Sequence, residues 1–177
     1  MKSKIIALSA ISAGFIAIIL TLGAYIEFFD LVSIVLASVF VILPLYLKSY
    51  LGAFLTYLAG GVIAFLFSGF NVMSLVFPSY LVFFGVFPII RCFMADKNIN
   101  KWLAFFLGLI WCVGVFYGMY FYYVGVMGMT ISDLPTWITD GILYFIGLGG
   151  IVFYIIFDRF IYLARIVADR YLGRIIK

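Results

Sequence analysis

The sequence predicts an all-α, polytopic integral membrane protein: six transmembrane helices, both termini in the cytoplasm, and a C-terminal amphipathic helix at the cytoplasmic face. Three observations predict it. The 177-residue chain is 68% hydrophobic and 10% charged, whereas a soluble domain is about 45–50% apolar and about 25% charged. Its apolar residues fall into six runs close to the roughly 20 residues a helix needs to cross a hydrocarbon core. All eleven Lys and Arg residues fall at alternate ends of those runs.

The six spans are residues 5–26, 31–47, 50–68, 74–91, 102–124 and 141–157. Backbone polar groups in lipid must be satisfied within the chain, which requires helices. A β-barrel strand alternates polar and apolar residues, and these runs do not. No polar linker, low-complexity tract or repeat divides the chain, so residues 1–177 read as one domain. The first run is longer than a usual signal-peptide core and lacks a clear cleavage site, so it reads as a retained span.

Orientation follows from charge. With the N-terminus inside, the cytoplasmic segments hold Lys2, Lys4, Lys48, Arg91, Lys97, Lys101, Arg159, Arg165, Arg170, Arg174 and Lys177. The outer segments hold only the acids Glu27, Asp30, Asp133 and Asp140. Cytoplasmic loops carry such an excess of Lys and Arg, and dropping or merging a span breaks the pattern.

Pro44, Pro78 and Pro88 lie within spans. They read as kinks, or as a kink that opens a ligand cavity. Ala10 and Gly14 are four residues apart, as are Ala13 and Ala17, Gly60 and Ala64, and Gly114 and Gly118. Such faces let backbones approach closely, within the bundle or against another subunit. Residues 158–177 put Asp158, Arg159, Arg165, Asp169, Arg170, Arg174 and Lys177 on one half of a helical wheel. Arg165 and Asp169 are spaced to pair. This tail lies at the cytoplasmic interface, or extends the sixth span and bends there, with anionic headgroups attracting its Arg side chains.

The longest outer connection spans residues 125–140. Asp133 is placed to cap a short turn, Thr139 or Asp140 to cap the last span, and Trp137 to anchor at the interface. In the alternative reading Asp133, Trp137, Asp140 and Tyr144 face a ligand, joined by Glu27, Asp30 and Asn71. A cationic or amine-bearing ligand suits those acids. Gly125 and Gly128 supply a hinge for a lid, or simply end the fifth helix.

The chemistry that is missing narrows the function. The chain has no His, no phosphate-binding GxxxxGK[ST] loop, and no GxSxG, HExxH or CxxC motif. No acid lies at the centre of a span, which argues against a buried proton relay. Cys92 and Cys112 read as buried free thiols, and a metal site is not expected. Ser9, Ser12, Ser33 and Ser38 lie in spans without a basic partner and read as helix-packing residues. Six spans are few for alternating access without dimerisation. The expectation is a non-enzymatic membrane protein with no cofactor and no nucleic-acid partner.

Two stretches resemble a family. The opening KSKIIALSAISAGFIAIIL is similar to the first helix of S components of energy-coupling factor transporters, whose Ala-xxx-Ala face meets a coupling subunit. Ala13 and Ala17 match that spacing, and Ala10 and Gly14 extend the small face. SLVFPSYLVFFGVFPIIRCFMADKNINKWLAFFLGL resembles a Firmicutes-type group of S-component-like membrane proteins, through Gly85, Phe87, Pro88 and Arg91. The resemblance covers roughly residues 1–120 in pattern and carries over no ligand-binding residue. It implies capture of a micronutrient or vitamin from outside, then docking to a transmembrane coupling subunit and two ABC-type ATPases. The competing expectation is a non-transport scaffold of cell-envelope or cell-shape assembly, similar to the MreD group in size and span number.

Overall fold

The computed structural model describes residues 2–71, 74–126, 128 and 136–175, without the side chains of Lys2, Glu27, Val126, 136–140 and 172–175. The described residues contain helices and connections and no strand. In chain order the helices are α1 (Lys2–Tyr25), α2 (Asp30–Tyr46), α3 (Tyr50–Phe67), α4 (Val76–Ser79), α5 (Phe87–Asp96), α6 (Lys101–Phe121) and α7 (Thr136–Ile175). A 3₁₀ turn over Glu27–Phe29 precedes α2, and π-turns cover Tyr80–Phe84 and Tyr122–Val126.

Among the described residues five helical stretches are long and apolar enough to cross a membrane: Ser3–Tyr25, Tyr50–Phe67, Val76–Asp96, Lys101–Gly125 and Gly141–Tyr171. The second expected span, residues 31–47, corresponds to α2, an apolar helix of 17 residues. Large apolar side chains face outward along these helices: Leu51 is 72% exposed, Ile110 67% and Ile156 65%. In water that surface costs roughly 25 cal/mol per Å², so lipid is its natural surrounding.

The chain forms two compact units, one of Met1–Ile99 with Phe160–Lys177 and the other of Asn100–Arg159. In the first unit α1 packs on both α2 and α3. Ser12, Ala13, Ile16, Ala17 and Leu20 form the buried face of α1. A Cβ added at Gly60 falls 2.6 Å from Ile16 Cγ2 and 3.2 Å from the Ala13 carbonyl, so only glycine permits this approach of α3 to α1. Near the start of α1, Gly52 lies against Ser9 and Ile5, and Thr56 Oγ1 donates to the Ser9 carbonyl at 3.2 Å. At its far end Tyr25 Oη donates to the Phe67 carbonyl at 3.1 Å. Helices α1 and α3 therefore run parallel, with α2 returning between them. The Ser49 side chain accepts from Gly52 N–H at 3.1 Å and starts α3.

The expected fourth span is interrupted. Its regular turns stop after Ser79, pass through the π-turn at Tyr80–Phe84, and resume at Phe87, with Pro88 in the first turn of α5. Proline is tolerated there because that N–H has no partner within the helix. Gly85 N–H reaches back five residues to the Tyr80 carbonyl at 2.9 Å, bypassing the Leu81 carbonyl. That carbonyl accepts the Tyr57 hydroxyl at 2.8 Å. Tyr80 Oη in turn donates to the Tyr57 carbonyl at 3.3 Å. A Cβ on Gly85 would fall within the Tyr57 ring. Glycine, the π-turn and the two tyrosines thus lock α3 to the broken span.

In the second unit α6 and α7 pack antiparallel. Phe105 meets Tyr154 with ring centroids 5.2 Å apart, and Phe116 meets Phe153 at 5.6 Å. Tyr117 Oη donates to the Leu143 carbonyl at 2.9 Å. Asn100 starts α6 by accepting from Trp102 N–H at 3.0 Å. Gly128, at φ +66°, has the left-handed backbone typical of a residue just past a helix end. One boundary departs from expectation. Helix α7 starts at Thr136, so Thr139 and Asp140 lie inside it rather than at its cap. It also continues past Phe157 as one 40-residue helix, about 60 Å long, because nothing in the 158–177 segment breaks helical backbone.

The Tyr57–Gly85 interlock makes a stability prediction. Gly85→Ala should cost the detergent-solubilised protein about 1–3 kcal/mol through overpacking, read in the thermal unfolding midpoint. Gly149→Ala, whose Cβ meets no atom within 4 Å, should not lower that midpoint.

Candidate functional site

The residues expected to face a ligand are distributed over both units. In the first unit Asp30 opens α2, and its carbonyl accepts Ser33 Oγ at 2.7 Å. Asn71 is exposed just beyond α3. The Tyr25–Phe67 bond ties the end of α1 to the end of α3, so Asp30 and Asn71 share one end of this unit. Glu27 lies in the 3₁₀ turn at that end, with its side chain outside the described residues. Tyr144 belongs to the second unit and is 79% exposed. Trp137 and Asp140 lie in the first turns of α7 with undescribed side chains, and Asp133 lies outside the described residues.

The small residues of α1 are divided by the helix's own periodicity. Ala13 and Ala17 are 6% and 5% exposed and pack inside the first unit. Ala10 and Gly14 are exposed, and a Cβ on Gly14 would meet nothing within 4 Å. The outward small face of α1 is therefore Ala10 and Gly14.

The serines in spans behave as packing groups. Ser33 and Ser38 hydroxyls donate to backbone carbonyls three residues back, at 2.7 and 2.6 Å. Ser9 and Ser12 hydroxyls are buried and have no hydrogen-bond partner among the described residues. Both cysteines are buried and free.

A polar cluster lies at the opposite end of the first unit from Asp30 and Asn71, where α2 turns into α3, α5 ends and the C-terminal part of α7 arrives. Asp96 accepts hydrogen bonds from the Tyr50 hydroxyl and the Arg165 guanidinium. Arg165 also donates through Nη1 to the Cys92 carbonyl at 3.3 Å. Tyr50 meets Phe93 edge-on at 5.5 Å between centroids, and Lys97 Nζ lies 5.9 Å from the centre of the Phe93 ring. Lys48, Tyr50, Phe93, Asp96 and Lys97 line a cleft of about 310 Å³.

Sequence spacing pairs Arg165 with Asp169, one turn away on the same helix. The structure pairs it with Asp96, 69 residues distant. Asp96 was not among the expected site residues. The available signal was that Lys48, Asp96 and Arg165 all fall in segments assigned to one side of the membrane. Comparison with known proteins gives no relative: no family model, no curated protein and no solved structure matches the chain.

The Arg165–Asp96 pair is about one-third exposed, with side-chain exposures of 30% and 37%, so solvent screens it. A double-mutant cycle with Arg165→Met and Asp96→Ala should give a coupling of about 0.5–1 kcal/mol. The coupling should shrink in 1 M salt, where the screening length is about 3 Å.

Proposed function

We propose that this chain is a substrate-capture subunit of an ATP-driven importer of a micronutrient or vitamin, with six spans and both termini in the cytoplasm. The supporting observation is the geometry of α1. Its inner face is used by Ala13, Ile16 and Ala17, while Ala10 and Gly14 leave a small-residue notch on its outer face between the exposed Ile6 and Ile18. A notch of small residues permits close helix–helix contact in a membrane, which suits docking to a separate coupling subunit.

On this reading α2 is the second span. Its 17 residues extend about 26 Å, near the hydrocarbon thickness, and its flanking polar residues complete the crossing. The end of the first unit with Asp30 and Asn71 faces outward and contributes to ligand capture. The end with Lys48, Lys97 and Arg165 faces the cytoplasm, in line with the positive-inside rule. The polar half of the tail follows the cytoplasmic interface where α7 outruns the bilayer. Energy comes from two ABC-type ATPases held by the coupling subunit, which accounts for a chain without a nucleotide-binding loop.

The second reading is a non-transport scaffold of cell-envelope or cell-shape assembly. The observation that favours it is the close packing of α1, α2 and α3, in which the buried face of α1 is filled by side chains.

Affinity purification of the tagged protein from its native membrane in mild detergent, with mass spectrometry, separates the two. The importer reading predicts a coupling subunit and two ATPases in the eluate. Gly14→Leu should reduce their recovery while leaving the protein folded. Recovery of cell-wall or division proteins without ATPases would replace the importer with the scaffold.

A further inference from the structure

Lys48 occupies an unusual backbone position for its side chain. Helix α2 ends with Leu47 as its cap, and Lys48 follows at φ +53°. Glycine or asparagine normally takes that left-handed position after a helix. The corresponding residue after α5 is Asn98, at φ +52°, and Lys97 is the cap before it. A cation near a helix C-terminus is favourable in itself, and that accounts for one lysine at each helix end. It does not account for both lysines lining one cleft.

The charge within the cleft is unbalanced. Asp96 is the only acid among the cleft-lining residues, and it is engaged by Tyr50 and Arg165. Asp169 stands one turn beyond Arg165 on α7. Among the described residues neither Lys48 nor Lys97 comes within salt-bridge distance of an acid, although Lys48 acts on Asp96 at longer range and Lys97 lies over the Phe93 ring. Two like charges facing one space repel each other, and an anion between them relieves that repulsion. The cleft walls are the rings of Tyr50 and Phe93. The space is therefore cationic at its rim and aromatic on its wall. Its volume of about 310 Å³ is at the lower end of the roughly 300–1,000 Å³ of small-ligand sites. It also lies at the ends of the apolar helices α2, α3 and α5, where a bilayer crossed by them would place its headgroup phosphates.

We propose that this cleft binds a phosphate-bearing anion, with Lys48 and Lys97 as its two point-charge ligands and the Tyr50–Phe93 wall against the group's apolar part. Lysine binds phosphate as a compact, mobile charge. The anion is the headgroup of an acidic phospholipid or a soluble phosphate. The site is independent of the importer reading, because it requires only that the helix ends reach the membrane surface.

The full-length protein in phosphatidylcholine nanodiscs, with and without phosphatidylglycerol, tests the proposal by native mass spectrometry. Inorganic phosphate is the second probe, read by thermal shift in detergent. Retention of one phosphatidylglycerol, not displaced by phosphate, identifies the lipid headgroup. Stabilisation by phosphate without lipid retention identifies a soluble ligand. In either case Lys48→Gln or Lys97→Gln should weaken binding roughly fivefold, and the double variant roughly thirtyfold. Lys48→Arg with Lys97→Arg should restore most of it. Lys101→Gln with Arg159→Gln, which removes two charges from the other unit, should leave it unchanged. Response to neither probe overturns the proposal. Equal loss in the Lys101/Arg159 control also overturns it, by reducing the effect to general charge.

Discussion

A backbone carbonyl in an apolar surrounding has no water to turn to, and the interrupted helical stretch Val76–Asp96 is where this fold meets that constraint. The π-turn at Tyr80–Phe84 shifts the Gly85 hydrogen bond one residue back. Tyr57 supplies the donor that the Leu81 carbonyl then needs. The tyrosine comes close enough only because position 85 has no side chain. From this contact α3 is held against the broken span, and α5 is aimed so that Asp96 meets Tyr50. The polar cluster and its cleft therefore depend on a junction made of backbone, two phenols and one glycine.

The first unit is polarised along its helices. One end carries Asp30 and Asn71, and the other carries Lys48, Asp96, Lys97 and Arg165. The long axis is set by small residues, Gly60 against Ile16 and Gly52 against Ser9. Once α1 and α3 run parallel, the connections on either side of α2 must lie at opposite ends. Sequence order and close packing thus sort the charges, and the sorting is what gives the two ends different chemistry.

Much of this was legible before any coordinates. Apolar run length located α1, α2, α3 and α6 to within a few residues, and less than half of α7. Ser49 and Asn100, polar residues just before apolar runs, mark the starts of α3 and α6. Pro88 marked an interruption, but the five-residue π-turn upstream of it, Tyr80–Phe84, carries no sequence signature of its own. The end of α7 was illegible for a different reason: a bilayer limits how much of a helix is buried in lipid, not how long the helix is. The Arg165–Asp96 pair joins residues far apart in sequence, whereas local spacing suggests only Arg165 with Asp169. The exposed Ala10–Gly14 notch was visible as a small-residue pattern. Which of its two candidate faces pointed outward depended on where α2 and α3 packed.

The orientation of the polarised unit is the claim on which both the capture surface and the phosphate cleft are placed in the cell. Substituted-cysteine labelling tests it, in a background with Cys92→Ser and Cys112→Ala, because both native thiols are buried. The account predicts that a membrane-impermeant maleimide labels Asn71→Cys in right-side-out vesicles. Ala95→Cys, at the other end of the broken span, should react only after permeabilisation. Labelling of both positions from the same side, or of Ala95→Cys alone from outside, would contradict it.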